Sequence, residues 1–252
     1  MRVILTGSTG QLGKAIIKLI PKEFNLICPD KKEMNLLDYE SCINLIKDIK
    51  PNWLINTAAF TNVQEAESNH ELAFKINGEA PVVIAKALKK YSGKMLHIST
   101  DYVFEGNGIL PYKTDSKTNT LNTYGLSKEF AELGLQQNLT TFNSLVILRT
   151  SWLMGSIGEN FLTKILNLHI KNNEIKVIND QKGCFTGTTS LANACWELIK
   201  KNEYYSRNNL LFPILNHWCD EGITTWFDIA VEIGNIGKSL GILDKTAKVI
   251  PI

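Results

Sequence analysis

The chain has 252 residues, 44% of them hydrophobic and 21% charged, which is the balance of a globular protein long enough to bury a sizeable core. Lysine and arginine (27) exceed aspartate and glutamate (25) by only two, and no basic run stands out, so neither nucleic acid nor an anionic membrane surface is an expected partner. The N-terminal stretch MRVILTG meets a glycine at position 7, too soon for a signal-peptide core or a membrane span, and a cytoplasmic protein with a small ligand is expected.

From residue 2 to about 150, short β-branched runs alternate with helical stretches, the pattern of βαβ units laid on a parallel sheet. A strand at Val3–Thr6 leads into a helix from Gln11 to Ile20, and a strand at Phe24–Cys28 leads into a helix from Tyr39 to Ile49. A third strand, Trp53–Asn56, precedes a helical stretch from Asn69 to Lys90. The strands Met95–Ser99 and Ser144–Arg149 flank a helix from Thr123 to Gln137. Pro21 and Pro51 fall just past helix ends, where proline stops a helix. Pro81 falls inside one and marks either a helix start after Asn77-Gly78 or a kink. Beyond 150 the alternation loosens. A helix near Phe161–Ile170, a strand near Ile175–Ile178, a loop Asn179–Gly187, a helix Thr188–Lys200, a strand near Leu211–Leu215 and a helix near Thr224–Ile233 are predicted. The expectation is an α/β protein: a Rossmann-like doubly wound parallel sheet over residues 1–150 that binds a dinucleotide, and a smaller C-terminal α/β substrate lobe over residues 151–252 that can interleave with it. Ligands of such sheets bind at the carboxyl edge of the strands, so the site is expected in the cleft there.

Gly7-Ser-Thr-Gly10-Gln-Leu-Gly13 lies at the first strand-to-helix junction. Glycines there allow a tight turn, close approach of a pyrophosphate to backbone N–H groups and close helix-to-strand packing. Asp30, at the end of the second strand, falls where a carboxylate binds the adenosine ribose hydroxyls and disfavours a 2′-phosphate, whereas Lys31 and Lys32 attract one. NADPH and NADH therefore both stand as the expected cofactor.

Tyr124 and Lys128 are four residues apart on a predicted helix and share one face. An ammonium so placed stabilises a phenolate, lowers the tyrosine pKa and reaches the nicotinamide ribose, which makes Tyr124 the acid of a carbonyl reduction. Thr100, at a strand end, is positioned to hydrogen-bond the carbonyl oxygen as negative charge develops on it. A lone Tyr-x-x-x-Lys arises by accident about 0.7 times in such a chain. The order of glycine loop, Ser-Thr and Tyr-Lys pair is what carries the reading. Five scattered cysteines (Cys28, Cys42, Cys184, Cys195 and Cys219) lack CxxC spacing and the four histidines form no ligand pair, so no metal is expected.

These motifs, with the strings HISTDYVFEGNG, TYGLSKEFAE and ILRTSWLMG, resemble the extended short-chain dehydrogenase/reductase family, and within it the branch that reduces dTDP-4-dehydro sugars. The resemblance implies reduction by NADPH or NADH of the 4-keto group of dTDP-4-dehydro-6-deoxy-L-mannose, giving dTDP-L-rhamnose for bacterial cell-surface polysaccharide. It implies a catalytic set of Thr100, Tyr124 and Lys128. Gly10, Gln11 and Leu12 would face the dinucleotide beside Gly7 and Gly13. Asp30, Asn35 and Leu36 would flank the adenosine, and Ala58, Ala59, Phe60 and Thr61 would line the cofactor near the third strand. Val63, Asp101, Tyr102 and Trp152 would face the sugar nucleotide. A homodimer is implied by the family alone.

Glu65 and Glu67 sit in a polar stretch and read as a solvated face. Three departures bear on activity. Phe60 stands where the family often has tyrosine, and Phe185 replaces a proline in the motif DQxGxPT. The family pattern continues past Val249-Ile-Pro-Ile252 through an Arg-Pro segment that packs on the substrate lobe, so reduced activity is one expectation. Two other functions use the same fold: a non-catalytic regulatory protein that binds NAD(P) or a sugar nucleotide, and a reductase of a different nucleotide sugar. The intact Tyr124-Lys128 pair favours catalysis, because a binder needs no tuned acid.

Overall fold

In chain order the computed structural model, which describes residues 1–108 and 110–252, contains β1 (Arg2–Thr6), α1 (Gln11–Lys18), β2 (Asn25–Ile27), α2 (Tyr39–Ile49), β3 (Trp53–Asn56), α3 (Val63–Ala66), α4 (His70–Ala73), α5 (Ala80–Lys90), β4 (Lys94–Thr100), α6 (Thr123–Asn138) and β5 (Leu145–Thr150). There follow β6 (Leu153–Met154), α7 (Phe161–Lys171), β7 (Glu174–Val177), β8 (Lys182–Gly183), β9 (Thr186–Gly187), α8 (Thr188–Arg207), β10 (Leu215–Trp218), β11 (Thr224–Thr225), α9 (Trp226–Ser239) and β12 (Lys248–Pro251). Two compact units result: residues 1–150 with 192–218, and residues 151–191 with 219–252.

The first unit is built on a six-stranded parallel sheet in the order β10-β5-β4-β3-β1-β2. Its inner strands are apolar without alternation, because helices cover both faces: Val3, Ile4 and Leu5, then Trp53, Leu54 and Ile55, then Leu145 to Leu148 are all buried. Residues 192–218 are anchored to this unit by indole hydrogen bonds at both ends of α8's inner segment. Trp196 Nε1 donates to the Ile16 carbonyl at 3.1 Å, and Trp53 Nε1 donates to Glu203 Oε1 at 2.8 Å. The strand expected at Leu211–Leu215 starts only at Leu215, because Pro213 has no N–H for the ladder.

The helical stretch expected over Asn69–Lys90 is continuous but changes its winding. A π-helical turn, Phe74–Glu79, links α4 to α5. In an unbroken α-helix the Pro81 ring would collide with the carbonyl of residue 77, and a wider turn just before it relieves that clash. In the second unit, β7 and β12 pair in parallel, and α7 and α9 cover them around Ile165, Ile175, Val177, Ala230 and Ala247. The predicted loop 179–187 contains two short strands: β8 pairs with β11 and β9 with β6.

Candidate active site

After β1 the chain crosses to β2 on one side and then returns to β3 on the other, so the strand order reverses beside β1 and a crevice opens at the carboxyl ends. It measures about 350 Å³ and is walled by Gly7, Asp30, Asn35, Leu36, Ala58 and Ala59 together with neighbouring loop residues. Gly7 has φ +70°, and a Cβ there would come within 2.7 Å of the Ala58 nitrogen. A Cβ on Gly13 would run into the Gly7 carbonyl oxygen, so α1 can approach the loop only with glycine at that point. Gly10 is the N-cap of α1 and offers no side chain to the helix's first amides, which have no intrahelical partners. Gln11, Leu12 and Gly13 form that first turn. Such an end suits a phosphate.

Asp30 is fixed by its own turn, since its Oδ1 accepts from the amides of Lys32 (2.7 Å) and Glu33 (2.9 Å). Asn35 likewise shapes the entry to α2, its Oδ1 accepting from the Leu37 amide at 3.1 Å. Phe60 and Thr61 lie beyond the crevice wall. The Phe60 backbone is clamped from both sides by buried Asn77, whose Oδ1 accepts from the Phe60 amide (2.7 Å) and whose Nδ2 donates to the Phe60 carbonyl (3.0 Å). A larger, shallow depression of about 560 Å³ lies over α4 between Leu37 and Lys75, and Leu37 borders both it and the crevice.

Thr100, the last residue of β4, caps a 3₁₀ turn at Asp101–Val103 by accepting from the Tyr102 amide at 3.2 Å, and its hydroxyl donates to Asp101 Oδ1 at 3.2 Å. Opposite it, α6 is capped twice. Asn122 Oδ1 accepts from the Gly125 amide (2.7 Å), and the Glu67 carboxylate accepts from the Thr123 amide (2.7 Å) and hydroxyl (3.1 Å). Glu67, expected on a solvated face, therefore fixes the start of the helix that carries Tyr124. Gly125 passes so close to the Tyr102 carbonyl that no Cβ fits. These constraints set the Tyr124 phenol beside Thr100 and its ring edge-on to Tyr102, 5.7 Å between centroids.

Burial pushes the Tyr124 pKa up to about 12, opposed by the Thr100 hydroxyl beside it and reinforced by Asp101 and Tyr102. Burial also pushes Asp101 up to about 6. The expected lowering of the tyrosine by Lys128 is not what the geometry produces. Lys128 Nζ points inward, donating to the Ile98 carbonyl at 2.6 Å and lying 3.2 Å from His97 Nε2. Burial pushes this lysine down to about 8, with Glu132 pulling the other way.

Behind the Tyr-Lys pair lies a polar interior that the motif reading missed. Glu132, one more turn along α6, forms a two-pronged ion pair with Arg149 of β5 (2.9 and 2.6 Å) and accepts from Ser99 Oγ at 2.5 Å. The Arg149 guanidinium lies over the Phe104 ring at 5.0 Å, and Phe104 stacks on Tyr112. On the other side of Lys128, His97 Nδ1 lies 2.9 Å from Asn56 Nδ2, and Asn56 Oδ1 accepts from Thr6 Oγ1 at 2.6 Å. Thr6, Asn56, His97 and Lys128 are all buried. The spacing signal was present: Tyr124, Lys128 and Glu132 recur every four residues on one helix face.

Val63 begins α3, whose N-cap Asn62 accepts from the Glu65 amide at 3.1 Å. Trp152 belongs to the second unit. Its backbone is left-handed, φ 42°, a costly conformation for a bulky residue. Two features hold it there: Trp226 stacks on its ring at 3.8 Å, and the ring packs where a Cβ on Gly183 would sit, 2.8 Å away. Trp226 is itself oriented by Gln181 Oε1, which accepts from its indole N–H at 3.1 Å. Phe185 lies between β8 and β9, and its carbonyl accepts from the Asp220 amide at 3.1 Å. Among the described residues no three histidine, cysteine, aspartate or glutamate side chains converge as metal ligands, and no helix is long and apolar enough to cross a membrane.

The chain is 34% identical over 249 residues to the dTDP-4-dehydrorhamnose reductase of Escherichia coli K12, covering 96% of this chain and 80% of that protein. It is 34% identical over 233 residues to the spore coat polysaccharide biosynthesis protein SpsK of Bacillus subtilis, covering 92% and 78%. The structure of dTDP-4-dehydrorhamnose reductase from Bacillus anthracis in complex with NADP superposes with a TM-score of 0.89 at 30% identity, over 100% of this chain and 83% of that one. The model of the RmlD substrate binding domain matches residues 1–249. With the glycine-lined crevice and the Thr100–Tyr124 contact already described, that match over nearly the whole length places the chain in the RmlD substrate binding domain family.

Proposed function

We propose that this protein is an NAD(P)H-dependent oxidoreductase that reduces the 4-keto group of dTDP-4-dehydro-6-deoxy-L-mannose, yielding dTDP-L-rhamnose for cell-surface polysaccharide. The observation that carries the reading is the placement of Tyr124 beside Thr100 at the carboxyl end of β4, in the same unit as a crevice built for a dinucleotide. The fit of that crevice rests on Gly7 and Gly13, where a Cβ would collide with the backbone of Ala58 or of Gly7 and force the loop out of the shape a pyrophosphate needs. Asp30 and Lys31 both line it, one repelling and one attracting a 2′-phosphate, so both cofactors are in play.

When bound, the reduced nicotinamide supplies the hydride. Tyr124, with a pKa pushed up to about 12, holds its proton at neutral pH and donates it to the oxygen that becomes the sugar hydroxyl. Thr100 orients that phenol and stabilises the developing oxyanion. Lys128 keeps the floor of the site rigid and offers its remaining hydrogen-bonding capacity to the cofactor ribose. Val63, Asp101 and Tyr102 face the sugar nucleotide in this reading, and Trp152, clamped by Trp226, supplies an aromatic surface for it. The protein is further proposed to act in the cytoplasm as a homodimer, which light scattering behind a sizing column tests directly.

The deciding assay follows the loss of reduced-nicotinamide absorbance with freshly generated dTDP-4-dehydro-L-rhamnose, using NADPH and NADH in parallel. Turnover is expected, and the two rates give the cofactor preference. A folded protein that binds a dinucleotide but turns nothing over would replace this reading with a non-catalytic binder or a reductase of another nucleotide sugar.

A further inference from the structure

We propose that His97 is a positioning residue for Lys128, and that the buried chain Thr6–Asn56–His97 reverses its hydrogen-bond polarity when Lys128 gains or loses its proton. The contacts that carry this are 2.6 Å from Thr6 Oγ1 to Asn56 Oδ1, 2.9 Å from the Asn56 amide nitrogen to His97 Nδ1, and 3.2 Å from His97 Nε2 to Lys128 Nζ. The chain crosses three elements, β1, β3 and β4, and ends on α6. Its outer end is the crevice wall, where the Ala58 amide donates to Thr6 Oγ1 at 3.3 Å.

A neutral imidazole has one donor and one acceptor nitrogen, so each neighbour dictates what the other must be. With the Asn56 amide nitrogen donating to Nδ1, the ring proton sits on Nε2 and needs an acceptor. Lys128 supplies one only as a neutral amine. When Lys128 is an ammonium it donates to Nε2, and the ring proton moves to Nδ1. There it needs Asn56 Oδ1, which an amide turned by half a revolution provides within the same heavy-atom frame. Thr6 Oγ1 then accepts instead of donating.

His97 is suited to this because it does not take a second proton itself. Burial, with the adjacent Lys128, holds its pKa well below the usual imidazole range. The charged and titratable groups around the pair are few. Glu132 on α6 favours the ammonium and is itself paired with Arg149 of β5, while the 3₁₀ turn after β4 contributes Asp101 and Tyr102 beside Tyr124. The remaining neighbours, Asn56 of β3 and the Ile98 carbonyl, are neutral. Burial brings Lys128 down to about 8, so both polarities are populated within an ordinary assay range.

The inference rests on the reductase reading only for the importance of Lys128, and its test does not need turnover. In the full chain labelled with ¹⁵N-histidine, long-range proton–nitrogen spectra report each ring's tautomer, and His97→Gln identifies the His97 signals among the four histidines. His97 is expected to stay neutral from about pH 6 to about pH 10, with its proton on Nδ1 at the acid end and on Nε2 at the alkaline end. The switch is expected to disappear in Lys128→Met. One tautomer throughout the range in the wild type, or an unchanged switch in Lys128→Met, would overturn the proposal. Kinetics add a second reading. His97→Leu should move the Lys128 limb of the kcat/KM profile by about one pH unit or more, and His97→Gln, which can donate or accept, should restore much of it. Superimposable wild-type and His97→Leu profiles would also overturn it. An inactive wild type with a switching His97 would instead sink the reductase and leave this inference standing.

Discussion

The crevice at β1–β3 and the side-chain cluster between β4 and α6 belong to the same unit, yet they are made of different materials. The crevice is shaped by the glycine loop, with Gly7 and Gly13 where a Cβ would collide, and is rimmed by Asp30 and Lys31. The β4–α6 cluster consists of side chains whose pKa values are shifted by burial: Tyr124 up to about 12, Lys128 down to about 8, Asp101 up to about 6. One region recognises mainly by shape and amide dipoles, with Asp30 and Lys31 at its rim. The other acts through groups that titrate, so pH should act on chemistry far more than on cofactor binding.

Substitutions can drive the two regions apart. Tyr124→Phe should lower kcat by roughly 10²- to 10⁴-fold while a dinucleotide titration followed by fluorescence stays close to wild type. A parallel loss of affinity would mean that the phenol belongs to the binding surface as well. Gly13→Ala should do the reverse, weakening dinucleotide binding by roughly tenfold or more because its Cβ meets the Gly7 carbonyl oxygen, with much of kcat recovered at saturation.

Lys128 offers a measurement on stability instead of rate. Its folded pKa of about 8 lies below its ordinary 10.5, so between those values the unfolded chain holds the proton that the folded chain has lost. Stability therefore rises with pH across that window, and the full burial cost is present below it. The stability of wild type relative to Lys128→Met should improve by about 2 kcal/mol between pH 7 and pH 10 in urea titrations. A difference independent of pH would place the lysine in contact with water. The smallest effect expected is that of Glu67→Ala, which removes a carboxylate from the start of α6 and should cost about 1 kcal/mol, with kcat falling more than cofactor affinity.

The alternation of apolar strands with helices was readable because parallel strands covered on both faces are continuous hydrophobic runs, as at Trp53–Asn56, which the structure reproduces residue for residue. The glycine loop and the Tyr-Lys pair were readable because their chemistry depends on local spacing. His97, Asn56 and Thr6 were not, because one buried polar residue per strand looks like any other until the register places three strands side by side. Glu67 was misread for a related reason. Its partner, Thr123, is 56 residues away in sequence, and no local pattern distinguishes a distant helix cap from a solvated carboxylate. Short strands such as β8 and β9 were missed because two residues are too few to show a period.

The π-helical turn at Phe74–Glu79 has a bearing on how this chain can change over evolutionary time. It holds one more residue per turn than its flanks, and Asn77 within it bonds the Phe60 backbone and donates to Ser127 Oγ at 3.1 Å. Removing a single residue there would restore an ordinary helix and rotate everything on one side of the cut by about 100° relative to the other. Asn77 would then lose either β3's loop or α6, and α5 would present a new face to its neighbours. Point substitutions can accumulate around this turn, but a one-codon deletion is a far larger step, and the length of the segment from His70 to Lys90 should be held more tightly than its composition.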